Sequence, residues 1–141
     1  MRPLRKRPRG SEVSLVQQGK DKNPSGLEYP ELIDTIALSP EKDLVQLVIH
    51  ADRQWDGSRR SVELLTQKIG NYLDYIRTGE LYKQHPEVRR TTWQIVWSMD
   101  GKLDRRSEEL VEKFEIETRK MGGDFKIHSH GERWSWSFRR G

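Results

Sequence analysis

The stretch "LVQLVIHADRQWDGSRRSVELLTQKI", residues 44–69, contains a strand, a turn and the start of a helix in one continuous run. Its first six residues are aliphatic apart from Gln46, which is typical of a largely buried strand, here predicted over 44–51. From Val62 onward, apolar residues recur at three- and four-residue steps, which predicts an amphipathic helix over 58–78. A strand that leads directly into a helix favours a fold in which helices pack on a sheet.

The flanking sequence extends this pattern in both directions. A Pro-Glu-Lys-Asp turn joins strand 44–51 to an earlier apolar run at 33–38, which predicts a hairpin. After the first helix, "TTWQIVWSM" alternates tryptophan, isoleucine and methionine with polar residues, as a half-buried strand does. The predicted elements after the hairpin are the helix 58–78, the strand 91–99, a second helix at 104–121 that ends at a Gly-Gly pair, and the strand 124–130.

The order ββαβαβ predicts an α+β fold, a two-layer sandwich with two helices on one face of a four-stranded mixed sheet. The C-terminal "RWSWSFRRG" places aromatic residues at alternate positions, so we expect a fifth strand or an edge addition there. Strand order stays open at this point. The predicted organisation is a mobile basic arm at 1–30, a single α+β domain at 31–130 and a Trp-rich C-terminal strand or tail at 131–141.

Composition narrows the class of protein. Apolar residues make up 33% of the 141 residues, below the usual share of roughly 45–50%, and charged residues make up 34%. No apolar run approaches the roughly 18 residues that span a bilayer, so we expect no membrane partner. The basic start is not followed by an apolar segment, so we expect no secretory signal. The absence of cysteine excludes disulfides and thiolate chemistry, and we expect a cytoplasmic protein.

The positive charge is concentrated in the arm. Residues 1–30 hold seven Lys or Arg against three Asp or Glu, while residues 31–141 hold 19 of each, so the net charge of +4 belongs to the arm. An arginine-rich arm of this kind can neutralise phosphates, which makes nucleic acid a candidate partner through residues 1–10. The alternative is that the arm only keeps the protein soluble. The candidate phosphate-binding residues are Arg5, Lys6, Arg7 and Arg9.

The turn "HADRQWDGS" carries residue types that occur in active sites. His50 and Asp52 could act as a base and its orienting carboxylate, with Asp56 placed to hold a cation. The structural alternative is that Asp56 or Ser58 caps the helix, while Trp55 covers the sheet edge. We favour the structural interpretation, because every helix start needs acceptors for its free N–H groups.

Histidines near the end of the chain form a second candidate. His128 and His130 lie two residues apart on a predicted strand and therefore point to one face, and His50 could join them if the two strands are neighbours. A strand pair that faces water produces the same pattern. Because the chain lacks cysteine and an H-E-x-x-H motif, we predict no metal and no other cofactor.

Several of these stretches resemble a known family. "VQLVIHADRQWDGS", "LLTQKIGNYLDYIRTGELYKQHPE" and "GGDFKI" resemble small bacterial proteins known only as a domain of unknown function. The pattern is an Asp-x-x-Trp-Asp turn, a Gln-Lys-Ile/Leu-x-x-Tyr-Leu helix and a Gly-Glu-Leu exit, over about residues 33–128. The resemblance implies a one-domain α+β protein and supplies no activity, cofactor or partner. The matching positions are Trp55, Asp56, Gln67, Lys68, Asn71, Tyr72 and Glu80.

Two polar residues of the family pattern share a helix face. Gln67 and Asn71 are four residues apart, so with Lys68 they form a polar patch that could hold a partner or anchor the 79–87 loop.

We therefore predict a small non-enzymatic binding or adaptor domain, with a protein partner or self-association through a sheet edge or the Trp-rich tail, where Trp134 and Trp136 are candidate contacts. One alternative is a nucleic-acid-associated protein that uses the arm. Another is a metal-dependent enzyme that uses His50, His128 and His130.

Overall fold

Both long helices and four strands lie where the hydrophobic periodicity predicts them. The computed structural model describes residues 14–15, 25–131 and 133–136. The elements in chain order are β1 (Ser14–Leu15), β2 (Thr35–Leu38), β3 (Leu44–Ile49), α1 (Arg59–Arg77), α2 (Glu80–Gln84), a 3-10 turn (Pro86–Val88), β4 (Thr92–Met99), α3 (Arg105–Lys120) and β5 (Asp124–Ser129). The predicted α+β class with a mixed sheet is confirmed.

The strands are arranged in the sheet in the order β1-β2-β3-β4-β5. β2 pairs antiparallel with both β1 and β3, while β3–β4 and β4–β5 pair in parallel. The short turn between β2 and β3 permits antiparallel pairing, whereas α1 and α3 provide the long crossovers that parallel pairs require. The sequence alone left this order open.

One face of the sheet carries the helices and the main core. Alternate residues of the central strands join side chains of α1 and α3 in a single buried cluster. Phe114 of α3, for example, packs against Phe125 of β5 with ring centroids 5.7 Å apart. The cluster includes Val45, Leu47, Ile49, Leu65, Ile69, Tyr72, Trp93, Ile95, Trp97, Val111, Phe114 and Phe125.

Both long helices begin at capped residues, as the sequence predicts for α1. Ser58 Oγ accepts a hydrogen bond from the Ser61 N–H at 3.1 Å, and Asp104 does the same for Ser107 at 3.1 Å. The loop expected after α1 contains the short helix α2 and the 3-10 turn. Pro86 is the first residue of that turn, where its missing N–H costs nothing.

The opposite face, which we call the helix-free face, carries Gln46, Gln94 and Lys126 at its centre. Residues 133–136, which we call the tryptophan tail, lie across it. Of the two predicted alternatives, residues 133–136 form a tail rather than a strand, and side chains of the sheet bind the Ser135 carbonyl. The fifth strand of the sheet is β1, within the arm.

The ordered body includes part of the predicted arm. Residues 25–30 contact α1 and Asp52 in the turn after β3, and Leu27 is buried. The predicted phosphate-binding cluster Arg5, Lys6, Arg7 and Arg9 lies outside the described residues. In the part of the chain that the structure describes, no helix combines the length and the apolar character needed to cross a membrane.

Candidate functional site

A buried ion pair lies at the centre of the polar residues in the family pattern. Lys68 Nζ lies 2.9 Å from Asp34 Oδ1, and neither side chain is exposed to solvent. The same ammonium donates to the carbonyl oxygens of Tyr29 at 2.8 Å and Leu32 at 3.0 Å. An ammonium has three N–H groups, so these three acceptors use all of them. Lys68 is therefore a structural anchor in this arrangement, with no N–H left for a ligand.

Asp34 connects this pair to the sheet. Its second oxygen, Oδ2, accepts hydrogen bonds from the backbone N–H of His50 at 2.9 Å and of Gly26 at 3.1 Å. Tyr72 Oη accepts from the Asp34 N–H at 2.9 Å and donates to the Val48 carbonyl at 3.1 Å. Burial, followed by the negative charge of Asp34, raises the pKa of Tyr72 well above its ordinary value. The phenol stays protonated and acts as a hydrogen-bonding bridge.

The polar patch predicted on α1 anchors a different segment from the one expected. Asn71 Nδ2 donates to the Pro30 carbonyl at 2.9 Å, so Asn71 and Lys68 both fix residues 29–32 rather than the 79–87 loop. Gln67, on the neighbouring position of the helix, is exposed. The three residues therefore do not form one binding patch.

Trp55 links the turn after β3 to the start of α3. Its indole N–H donates to Ser107 Oγ at 3.0 Å, and its ring packs edge-on against Trp97 with centroids 4.9 Å apart. The side chain is only 6% exposed. Trp55 therefore acts as a packing residue, buried away from any ligand at the surface.

The acidic and basic groups of the turn do not converge. Asp56 Oδ1 accepts from the Ser58 N–H at 2.9 Å, and this hydrogen bond is the main cause of its lowered pKa. Asp52 Oδ2 accepts from the Leu27 N–H at 3.0 Å. His50 Nε2 shares a 2.7 Å hydrogen bond with Thr35 Oγ1. Each candidate catalytic group is thus engaged in a separate structural contact, as the structural interpretation of this turn predicts.

The three candidate metal ligands are also apart. β4 separates β3 from β5, so His50 is not on a strand adjacent to His128. The His128 ring packs against Trp134, with centroids 4.5 Å apart, and His130 is exposed beyond the strand end. Among the described residues, no three His, Asp or Glu side chains gather closely enough to hold a metal ion.

The helix-free face holds the tryptophan tail through a side-chain amide. Gln46 Oε1 accepts from the Trp134 indole N–H at 3.0 Å, while Gln46 Nε2 donates to the Ser135 carbonyl at 3.1 Å and to Gln94 Oε1 at 2.6 Å. Lys126 Nζ donates to the same Ser135 carbonyl at 2.9 Å. Gln46 is completely buried, and the tail supplies two of its three hydrogen bonds. The face therefore contacts both the backbone and a side chain of the tail.

Sequence reasoning found the tryptophans of this contact but missed the residues that receive them. Gln46 interrupts the otherwise aliphatic strand "LVQLVI", and Gln94 lies in the middle of "TWQIVW". A polar amide inside each of two buried strands is costly unless it is hydrogen-bonded. The presence of these two buried amides in the sequence therefore indicated that a polar contact covers the helix-free face.

Two surface grooves lie away from this contact. One, of about 570 Å³, runs between the first turns of α1 and α3 and is lined by cations such as Arg59, Arg106 and Lys113. The other, of about 320 Å³, is lined by Glu31, Asp74 and other residues beside α1. The residues that line the two grooves include no histidine, so neither brings a predicted base next to a carboxylate.

Residues 26–131 match Family of unknown function (DUF6572). The matched range contains β2 to β5 and the described helices α1, α2 and α3, and the tryptophan tail follows it. The resemblance expected over about residues 33–128 is confirmed. Neither a curated protein nor a solved structure matches the chain.

Proposed function

Because this chain belongs to a family of unknown function, we propose its function from the geometry of its own residues. It is a small non-enzymatic binding domain, and the helix-free face of the sheet is its recognition surface. The observation that carries this proposal is the contact in which Gln46 binds the Trp134 indole and the Ser135 carbonyl together. Peptide-binding surfaces combine main-chain hydrogen bonds with contacts to side chains, and Gln46 makes one of each.

The chemistry of the contact defines the ligand that the face would accept. The Gln46 oxygen requires an N–H donor, which an indole supplies, and the Lys126 ammonium and Gln46 N–H groups require a carbonyl one residue later. The His128 ring adds a flat contact for the tryptophan. The matching ligand is a segment in which a tryptophan directly precedes the residue that supplies the carbonyl, as Trp134 precedes Ser135.

The state of the other candidate groups supports a non-enzymatic role. His50, Asp52 and Asp56 each hold backbone or side-chain groups of this chain, in three separate contacts. An acid–base mechanism needs such groups within hydrogen-bond reach of one reacting atom. We keep the cytoplasmic location as part of the proposal, supported by a chain without cysteine.

A labelled peptide with the sequence of residues 131–141 tests the recognition surface. The full-length Trp134→Ala variant has a weakened tail of its own, so we expect the peptide to bind it saturably and at least about tenfold tighter than it binds the wild-type chain, as measured by fluorescence anisotropy. The matched controls are a peptide with alanine in place of its first tryptophan and the protein variant Gln46→Leu/Trp134→Ala. Equal binding of the peptide to all three proteins, or no saturable binding to any, would contradict the proposal.

The charge asymmetry of the chain favours a second candidate, nucleic-acid association through the arm. Residues 1–30 carry the entire net charge of +4. This candidate predicts sequence-independent binding to duplex DNA that weakens steeply with salt and disappears when residues 1–10 are deleted. Retention of binding after that deletion would exclude the arm as its cause.

A further inference from the structure

We propose that two copies of this chain exchange their tryptophan tails, so that the tail of each copy lies on the helix-free face of the other. The inference rests on the proposed function, because it requires that face to recognise the tail. It names the partner, which is a second copy of the same chain. The conformation of one short hinge then determines whether the chain is a monomer or a dimer.

The bonds that hold the tail do not depend on which chain supplies it. Gln46 and Lys126 bind the tail through their side chains, and His128 contacts it through its ring. None of these groups lies within five residues of Trp134 along the chain. A tail from another copy could therefore make the same contacts, as in domain-swapped dimers.

The hinge between β5 and the tail is short. A backbone hydrogen bond from the His130 N–H to the Met99 carbonyl at 2.9 Å extends the pairing of β4 and β5 to His130. Only residues 131–133 separate it from Trp134, and both Gly131 and Arg133 are exposed. Short hinges of this kind favour exchange, because extending them carries the following segment away from its own domain.

The conformation of Gly131 permits the turn that returns the tail to its own sheet. Its φ of +93° belongs to the left-handed region, which glycine adopts easily and other residues adopt at a cost. A Cβ added at Gly131 would meet no atom within 4 Å. Alanine there would consequently penalise the folded-back turn without a clash and without altering any group that holds the tail.

Gly131→Ala is therefore a direct test, and Gly122→Ala is its matched control. Gly122 also has a φ of +93° and open space around its added Cβ, but it lies between α3 and β5, away from the hinge. One left-handed alanine disfavours the closed form by roughly a factor of ten, and an exchanged dimer relieves two of them. We expect Gly131→Ala to raise the dimer association constant roughly a hundredfold in analytical ultracentrifugation, and Gly122→Ala to leave it unchanged.

Two further measurements identify the dimer. Gly131→Ala/Trp134→Ala should return to monomer, because its tail is damaged. A full-length chain with Gln46→Leu has an intact tail and a damaged helix-free face, whereas Trp134→Ala has a damaged tail and an intact face. A mixture of the two variants should form a one-to-one heterodimer, while each variant by itself should form no dimer.

A Gly131→Ala chain that stays as monomeric as Gly122→Ala, with no heterodimer in the mixture, would overturn tail exchange. If Trp134→Ala then still binds the free peptide, only the exchange is wrong and the recognition surface stands. If peptide binding is lost as well, both proposals fall.

Discussion

Lys68 illustrates at the scale of a single residue how a charged side chain becomes structural. It is completely buried against Asp34, and two carbonyl oxygens take its remaining N–H groups. Lys68→Met would leave the Asp34 carboxylate buried without its counter-charge, so we expect the free energy of unfolding to fall by about 3–5 kcal/mol. Urea denaturation measures this loss, and Gln67→Met on the exposed neighbouring position is the control, with a change within about 0.5 kcal/mol. A loss below about 1 kcal/mol for Lys68→Met would show that the pair is not an anchor.

Tyr72 gives the protein a predictable response to alkaline pH. Burial raises its pKa above the ordinary 10.0, so the folded chain keeps this proton while the unfolded chain releases it. The stabilisation is fully present below about pH 10 and is lost as the pH rises further, by about 1.4 kcal/mol per pH unit. Tyr72→Phe should be less stable at neutral pH, since it loses two hydrogen bonds, yet its stability should fall less steeply between about pH 10 and 12. Parallel slopes for the two proteins in urea titrations would contradict this.

At the scale of elements, Trp55 joins two helix starts that are far apart in sequence. Its indole bonds to Ser107 in the first turn of α3, while its own backbone N–H bonds to the Asp100 carbonyl at 2.7 Å. Trp55→Phe and Ser107→Ala should each lower the free energy of unfolding. The double variant should lose about 0.5–1.5 kcal/mol less than the sum of the two single losses, because both substitutions remove the same hydrogen bond. Thermal and urea unfolding of the four proteins in this cycle measure that coupling. If the losses of the two single variants are fully additive in the double variant, the two helix starts are held together by packing alone.

At the scale of the whole molecule, the charges of residues 31–141 balance, and the Lys68–Asp34 ion pair is buried away from solvent. Residues 31–141 carry 19 charges of each sign, and exposed pairs such as Arg59–Glu63 contribute little. Raising sodium chloride from about 0.05 M to about 0.5 M should therefore change the free energy of unfolding by less than about 1 kcal/mol. A larger loss would indicate that surface ion pairs stabilise the fold.

The same scale explains what the sequence could and could not predict. The alternation of Trp93, Ile95 and Trp97 reports their burial directly, so the strand and its inward face followed from spacing. The partner of Lys68 could not be deduced in that way, because Asp34 lies 34 residues earlier and the other two acceptors are backbone carbonyls. Likewise, the tail that covers Gln46 arrives 88 residues later. Local periodicity predicts elements, whereas contacts between distant polar groups depend on the completed sheet.

Because of where the five tryptophans lie, their fluorescence can report on the position of the tail without an added label. Trp55, Trp93 and Trp97 are buried on the helix side of the sheet, whereas Trp134 lies on the helix-free face and both Trp134 and Trp136 are half-buried. A water-borne quencher such as iodide should therefore reach the second pair first whenever the tail lifts from its sheet, while the emission of the inner three stays unchanged. Tail release and global unfolding would then be two separate fluorescence signals from the unlabelled protein.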